Sequence, residues 1–173
     1  MLDCCFLTTE NSKKSYQNLS NTYSAIEPPT WSLLLAESMR SSGFKVSIID
    51  ANAEKLNEAE ILNKIKVLNP KLICMVVYGQ NVNAGTTNMS GAIYIAEFLK
   101  KKMNNITIAI IGSHVQALPV KTLEKEKSID FVFTNEGVYA LKNVLRLDNF
   151  SSDSLSKING LAYRDRNSVK MNP

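Results

Sequence analysis

Along the chain, short apolar runs alternate with longer stretches in which apolar positions recur every three or four residues. Leu2–Thr8 (LDCCFLT), Lys45–Asp50 (KVSIID), Lys71–Tyr78 (KLICMVVY), Ile106–Ile111 (ITIAII) and Asp130–Thr134 (DFVFT) read as strands. KLICMVVY is almost continuously apolar, as expected of a strand buried on both faces of a parallel sheet. A polar loop over Glu10–Ser24 leads to Pro28-Pro29, which open a helix carrying Leu34, Leu35, Ser38 and Met39 at helical spacing and stopped at Gly43. Asn57 caps a second helix through Leu68, with Ile61, Leu62, Ile65 and Leu68 on one face. A helix over Thr86–Met103 presents Met89, Ala92, Ile93, Ala96 and Leu99, and shorter helices are predicted from about Pro119 to Lys127 and over Val138–Leu147. Strands joined by crossovers of helical length pair in parallel. The pattern therefore predicts a doubly wound α/β fold, Rossmann- or flavodoxin-like, with a five-stranded parallel sheet and helices on both faces.

The tail breaks this rhythm. Asp148–Ser156 reads as a polar connector, and Gly160–Tyr163 and Ser168–Met171 flank Arg164-Asp165-Arg166-Asn167 as a β-hairpin. A lone hairpin is marginal in water, so this one is expected to dock on the sheet edge or lead into a further domain. Residues 1–147 are read as the sheet domain and 148–173 as connector and hairpin.

Composition narrows the picture. With 173 residues, 45% hydrophobic, the chain can bury one core and is too short for two. The net charge of +4 is spread over helix faces, which argues against a nucleic-acid partner. Lys100-Lys101-Lys102 ends a helix, where cations oppose the negative dipole end. The apolar runs are strand-sized and Met1-Leu2-Asp3 begins no basic signal region, so the expectation is a cytoplasmic protein without a membrane partner. Cys4, Cys5 and Cys74 lie inside apolar runs and read as small buried hydrophobes; no Cys-x-x-Cys or His/Cys cluster offers a metal site.

Candidate chemistry follows from the fold. Doubly wound sheets bind ligands beyond the carboxyl ends of their strands, where the strand order reverses. The residues there are Thr8 and Thr9; Tyr78, Gly79, Gln80, Asn81 and Val82, with Asn83 and Gly85 beyond; Gly112, Ser113 and His114; and Asn135, Glu136 and Gly137. Glycines allow close backbone approach, and the surrounding side chains are neutral hydrogen-bonding groups with few Lys or Arg. No G-x-x-x-x-G-K-[ST] or G-x-G-x-x-G motif is present. The rim suits a large, mostly uncharged, hydrogen-bonding ligand. Asp50 and Glu136 are carboxylates at strand ends with no nucleophile beside them, and read as caps or turn formers, not catalysts. Trp31 and Tyr94 read as packing residues.

The ordered set Pro28-Pro29, Ile48-Ile49-Asp50-Ala51-Asn52, Tyr78-Gly79-Gln80-Asn81, Ile111-Gly112-Ser113-His114 with Ala117-Leu118-Pro119, Asn135-Glu136-Gly137 and Ile158-Asn159-Gly160-Leu161-Ala162-Tyr163-Arg164 resembles the N-terminal cobalamin-binding domain of B12-binding radical SAM proteins. The match spans nearly the whole chain. The resemblance implies that the rim residues hold a corrinoid. It also implies a downstream radical SAM domain, in cis or in trans, bearing a Cys-x-x-x-Cys-x-x-Cys motif, a [4Fe-4S] cluster and S-adenosylmethionine. The whole enzyme would most often be a methyltransferase, and this segment by itself non-catalytic. One departure bears on mechanism. The Asp-x-His-x-x-Gly motif that supplies a cobalt ligand in classical cobalamin domains would follow strand one, where the chain reads Thr8-Thr9-Glu10-Asn11-Ser12. No histidine of that loop can ligate cobalt. His114, the single histidine, has three readings: a cobalt ligand, a hydrogen-bond partner of the corrin periphery, or a solvent-facing residue.

Other classes sharing this fold stay on the table. A phosphorylation receiver needs an acidic cluster after strand one and an Asp ending strand three, and finds Thr8-Thr9 and Tyr78-Gly79 instead. A flavin- or nucleotide-binding flavodoxin-like domain would need a phosphate loop after strand one, which Thr8-Thr9 and the Lys13-Lys14 loop meet only in part. A glycosyltransferase half-domain is opposed only by the scarcity of basic residues on the rim.

Overall fold

The computed structural model describes residues 1–9, 27–79, 82–166 and 168–173. The expected loop over Glu10–Ser24, and Gln80, Asn81 and Asn167, lie outside the described residues. The elements, in chain order, are β1 (Leu2–Thr8), α1 (Thr30–Arg40), β2 (Val46–Asp50), α2 (Glu58–Leu68), β3 (Pro70–Val77), α3 (Val82–Lys102), β4 (Ile108–Gly112), α4 (Ser113–Ala117), α5 (Pro119–Lys125), β5 (Phe131–Phe133), α6 (Val138–Arg146), α7 (Ser152–Leu155), β6 (Leu161–Asp165) and β7 (Ser168–Met171).

The strands form one seven-stranded sheet in the order β2-β1-β3-β4-β5-β6-β7. The first five are parallel, with Leu7 opposite both Ile49 and Met75, and Val77 opposite Gly112. β6 and β7 add antiparallel at the β5 edge, Val132 facing Ala162 and Ala162 facing Met171. The expected five-stranded parallel sheet is thus the core of a wider mixed sheet. The hairpin is no separate appendage: it covers the β5 edge, which would otherwise present unpaired N–H and C=O groups.

Strand residues alternate between two cores. Cys5, Leu7, Ile73, Met75 and Val77 pack under α2, α3, α4 and α5. Cys4, Phe6, Leu72, Cys74 and Val76 pack under α1, α6 and α7, joined by Leu161 and Tyr163 of the hairpin. The three thiols are buried and free, and burial pushes all of them up, Cys5 to about 12.

Local chemistry explains the helix ends. Asn57 makes a full capping box: its side chain accepts from the Ala59 and Glu60 amides, and Glu60 accepts from the Asn57 amide. Asn69 then closes α2 in the left-handed region, φ 44°. The Lys100 ammonium, at the end of α3, donates to the Ile106 carbonyl at 2.7 Å and to Asp130 at 2.6 Å.

Several boundaries differ from expectation. α3 begins at Val82, four residues earlier than predicted. Gly112 ends β4, and Ser113 and His114 open a five-residue helix where a turn was expected. Arg164 and Asp165 lie in β6 and not in the hairpin turn. On α1 the buried face is Ser32, Leu35, Ala36 and Met39, while Leu34 is 59% exposed. No helix among the described residues is long and apolar enough to cross a membrane.

Candidate cofactor-binding site

The strand order reverses between β1 and β3: β2 lies beyond β1, and β4 and β5 lie beyond β3. The crevice between the β1–α1 and β3–α3 connections is therefore where a ligand fits. Thr8 and Thr9 form its β1 side. The Thr8 hydroxyl shares a 2.9 Å hydrogen bond with Ser32, a buried residue in the first turn of α1, which ties that helix to the strand end. The Thr9 hydroxyl oxygen is buried and has no hydrogen-bond partner.

Tyr78 and Gly79 form the β3 side. The Tyr78 carbonyl accepts from Asn88 of α3 at 3.2 Å. Its ring stacks on Trp31, with centroids 4.5 Å apart and planes at 20°. Burial, and then the negative charge of Glu136, push the Tyr78 phenol up, so it is neutral at physiological pH. Trp31 and Tyr94, read above as packing residues, are 40% and 47% exposed; Tyr94 donates to Glu58 far along α3.

The glycines of this rim let protein segments pack closely on one another. A Cβ on Gly112 would stand 2.0 Å from the Val77 carbonyl oxygen, so no side chain fits between the ends of β3 and β4. A Cβ on Gly79 would meet Ala84 at 2.5 Å, and one on Gly85 would meet the Ser113 hydroxyl at 2.3 Å. That Ser113 hydroxyl is a second buried oxygen without a partner. Gly137 is left-handed, φ 64°, and packs on Ile111 and Phe133.

The structure gathers the candidates unevenly. Thr8, Thr9, Tyr78, Gly79, Gly112 and Ser113 stand at the ends of adjacent strands. Val82 opens α3, and Gln80 and Asn81 lie outside the described residues. Asn135 and Glu136 are exposed at the β5 end. His114 turns toward α3, its Nδ1 3.1 Å from the Thr86 hydroxyl. The two line the mouth of a groove of about 590 Å³ that runs between α3 and α5. Asp50 accepts from the Ala53 amide and forms a turn. Among the described residues no three His, Cys, Asp or Glu side chains gather as a metal-binding cluster.

Ser32, Thr86, Asn88 and Trp31 were not among the expected site residues. All four lie within the first two turns of helices, where periodicity announces a helix and says nothing of its proximity to a strand end.

The polar groups at these strand ends are neutral: unpaired hydroxyls on Thr9 and Ser113, beside strand ends that Gly79 and Gly112 allow to pack closely. The family model for the B12 binding domain matches residues 19–145. The chain belongs to the B12-binding domain family. This B12-binding domain is 29% identical over 152 residues to the uncharacterized methyltransferase PH0819 of Pyrococcus horikoshii, covering 84% of the chain and 30% of that protein. It is 25% identical over 139 residues to the anaerobic magnesium-protoporphyrin IX monomethyl ester cyclase of a Synechocystis strain, covering 79% and 26% respectively. Among solved structures it resembles the cobalamin-dependent S-adenosylmethionine radical enzyme OxsB with aqua-cobalamin and S-adenosylmethionine bound. The TM-score is 0.72 at 18% identity, over 99% of this chain and 22% of that one. The apo form of OxsB gives 0.65 over the same span. The B12-binding domain thus spans less than a third of the length of these relatives.

Proposed function

We propose that the domain holds cobalamin in the crevice between β1 and β3, as the cofactor-binding module of a longer radical SAM enzyme, of methyltransferase type. The observation that carries the reading is the neutral, glycine-built rim at the sheet's reversal, on a chain that belongs to the B12-binding family. The OxsB likeness and the methyltransferase relative support the wider assignment.

In this proposal the holding residues are Thr8, Thr9, Tyr78, Gly79, Gln80, Asn81 and Val82, with Gly112, Ser113, His114, Asn135, Glu136 and Gly137 along the rim. When bound, cobalamin supplies a cobalt centre that can carry a methyl group; S-adenosylmethionine and a [4Fe-4S] cluster belong to a downstream domain. The protein's own part is to bind and orient. The Thr9 and Ser113 hydroxyls are unpaired donors at the strand ends, and Gly79 and Gly112 let the β3 and β4 ends pack closely enough to form the rim on which a corrinoid would lie. No histidine stands in the loop after β1, so the cobalt receives no imidazole from there; His114, its Nδ1 on the Thr86 hydroxyl, faces the groove between α3 and α5. A cytoplasmic location is part of the same proposal.

The test is a visible spectrum of the purified chain after incubation with hydroxocobalamin and desalting, with FMN in a parallel sample. Retained corrinoid, in a form without histidine ligation, is expected. A histidine-ligated spectrum would remove the ligand assignment. Retention of FMN and not of corrinoid would replace the reading with a flavodoxin-like one.

A further inference from the structure

The two connections that flank the sheet's reversal each bring one aromatic ring to the crevice. Trp31 stands in the first turn of α1 and Tyr78 directly follows β3. The rings stack on each other as an aromatic wall, with Tyr78 packed against the core on the α1 side of the sheet. A pair whose only work was to fill the core would be covered, as Phe6 and Phe133 are; Trp31 is 40% exposed. Both rings are also held in place. Ser32, next to Trp31, is bonded to Thr8, and the Tyr78 carbonyl is bonded to Asn88. The wall thus keeps its position relative to two strand ends. The Tyr78 ring brings no charge of its own, since burial and the nearby Glu136 both keep its phenol protonated.

We propose that the stacked Trp31–Tyr78 pair is the surface on which the conjugated ring of the corrinoid rests, an inference that builds on the cobalamin reading above. A large flat macrocycle without a histidine beneath it gains most from a rigid apolar surface that replaces water across a whole ring. Stacking on aromatics is tolerant of ligand detail because it uses the π-face and no specific hydrogen bond. The pair therefore positions the macrocycle, and the polar rim reads its periphery.

The experiment titrates hydroxocobalamin into the full chain and follows the corrinoid's visible spectrum. The proteins are wild type, Trp31→Ala, Trp31→Phe, Tyr78→Leu and Tyr94→Ala, each checked for fold by circular dichroism without corrinoid. Loss of a stacking ring should weaken binding about 10- to 100-fold in Trp31→Ala and Tyr78→Leu. Trp31→Phe, which keeps a ring, should stay within about threefold of wild type, and Tyr94→Ala, an exposed aromatic away from the crevice, should match it. Wild-type affinity in folded Trp31→Ala, or equal losses in Trp31→Ala and Trp31→Phe, would overturn the inference while leaving the cobalamin reading intact. A wild-type chain that binds no corrinoid would remove both.

Discussion

Gly137 shows what a single residue contributes to the rim. It sits between β5 and α6 at φ 64°, where an L side chain is strained, and a Cβ there would meet Ile111 Cδ1 at 2.5 Å and Phe133 Cβ at 2.8 Å. Gly137→Ala should therefore cost roughly 2–4 kcal/mol, combining left-handed strain with an overpacked contact. A urea midpoint followed by circular dichroism measures this, and an unchanged midpoint would mean that the turn relaxes without penalty. That a glycine belongs after a strand was legible in the sequence as turn punctuation. Its tight packing on Ile111 was not, because the contact depends on how far β4 extends beside β5. The same holds for Ser113. Its hydroxyl is legible as a hydrogen-bonding group, but its burial against Gly85 follows from the pairing of Val77 with Gly112.

At the scale of elements, Arg164 does most to join the hairpin to the rest. Its guanidinium donates to the carbonyls of Ile129 at 3.2 Å, Glu126 at 2.8 Å and Leu123, closing the end of α5, a seven-residue helix with no side-chain cap at its start. Lysine presents a single point charge in place of this fork. Arg164→Lys should lose about 1–3 kcal/mol of stability, with faster hydrogen exchange concentrated in α5 and β6. Uniform acceleration across the sheet would show instead that the residue acts through global stability. The hairpin's strands were legible in outline, with Arg164 assigned to the turn because Arg164-Asp165-Arg166-Asn167 reads as a polar break. Pairing with β7 carries β6 two residues further. α4 is too short to show a period, and Asn83 and Gly85 are weak helix formers that conceal the true start of α3. Leu34 shares helical spacing with the core yet faces outward, since periodicity defines a face only within about one residue.

Across the whole molecule, the alternation of strands and helices made a parallel, two-faced sheet legible, but no local pattern states which strands are neighbours. The placement of β1 between β2 and β3 brings Cys4 and Cys5 next to the strand that carries Cys74, and buries three ionisable groups between the two helical layers. This has a consequence for the stability of the entire chain. Burial raises Cys5 from its ordinary value of 9.0 to about 12, and pushes Cys4 and Cys74 up as well, with their mutual charge repulsion adding to the effect. Well below pH 9 the thiols are protonated in both folded and unfolded chains and contribute no pH dependence. Above it the unfolded chain releases protons that the folded chain retains, so the unfolded state binds fewer and stability falls as pH rises, through the window in which only the unfolded thiols ionise. Each thiol contributes a slope of about 1.4 kcal/mol per pH unit there, and the three together lower stability by on the order of 4 kcal/mol at pH 10. Tyr78, also raised, adds in the same direction at higher pH. Urea midpoints at pH 7, 9 and 10 should therefore fall slightly and then steeply, and Cys74→Ala should reduce the drop by roughly a third. A midpoint that stays flat to pH 10 would mean that water reaches the centre of β1 and β3, and that the sheet is not the dry core on which both faces depend.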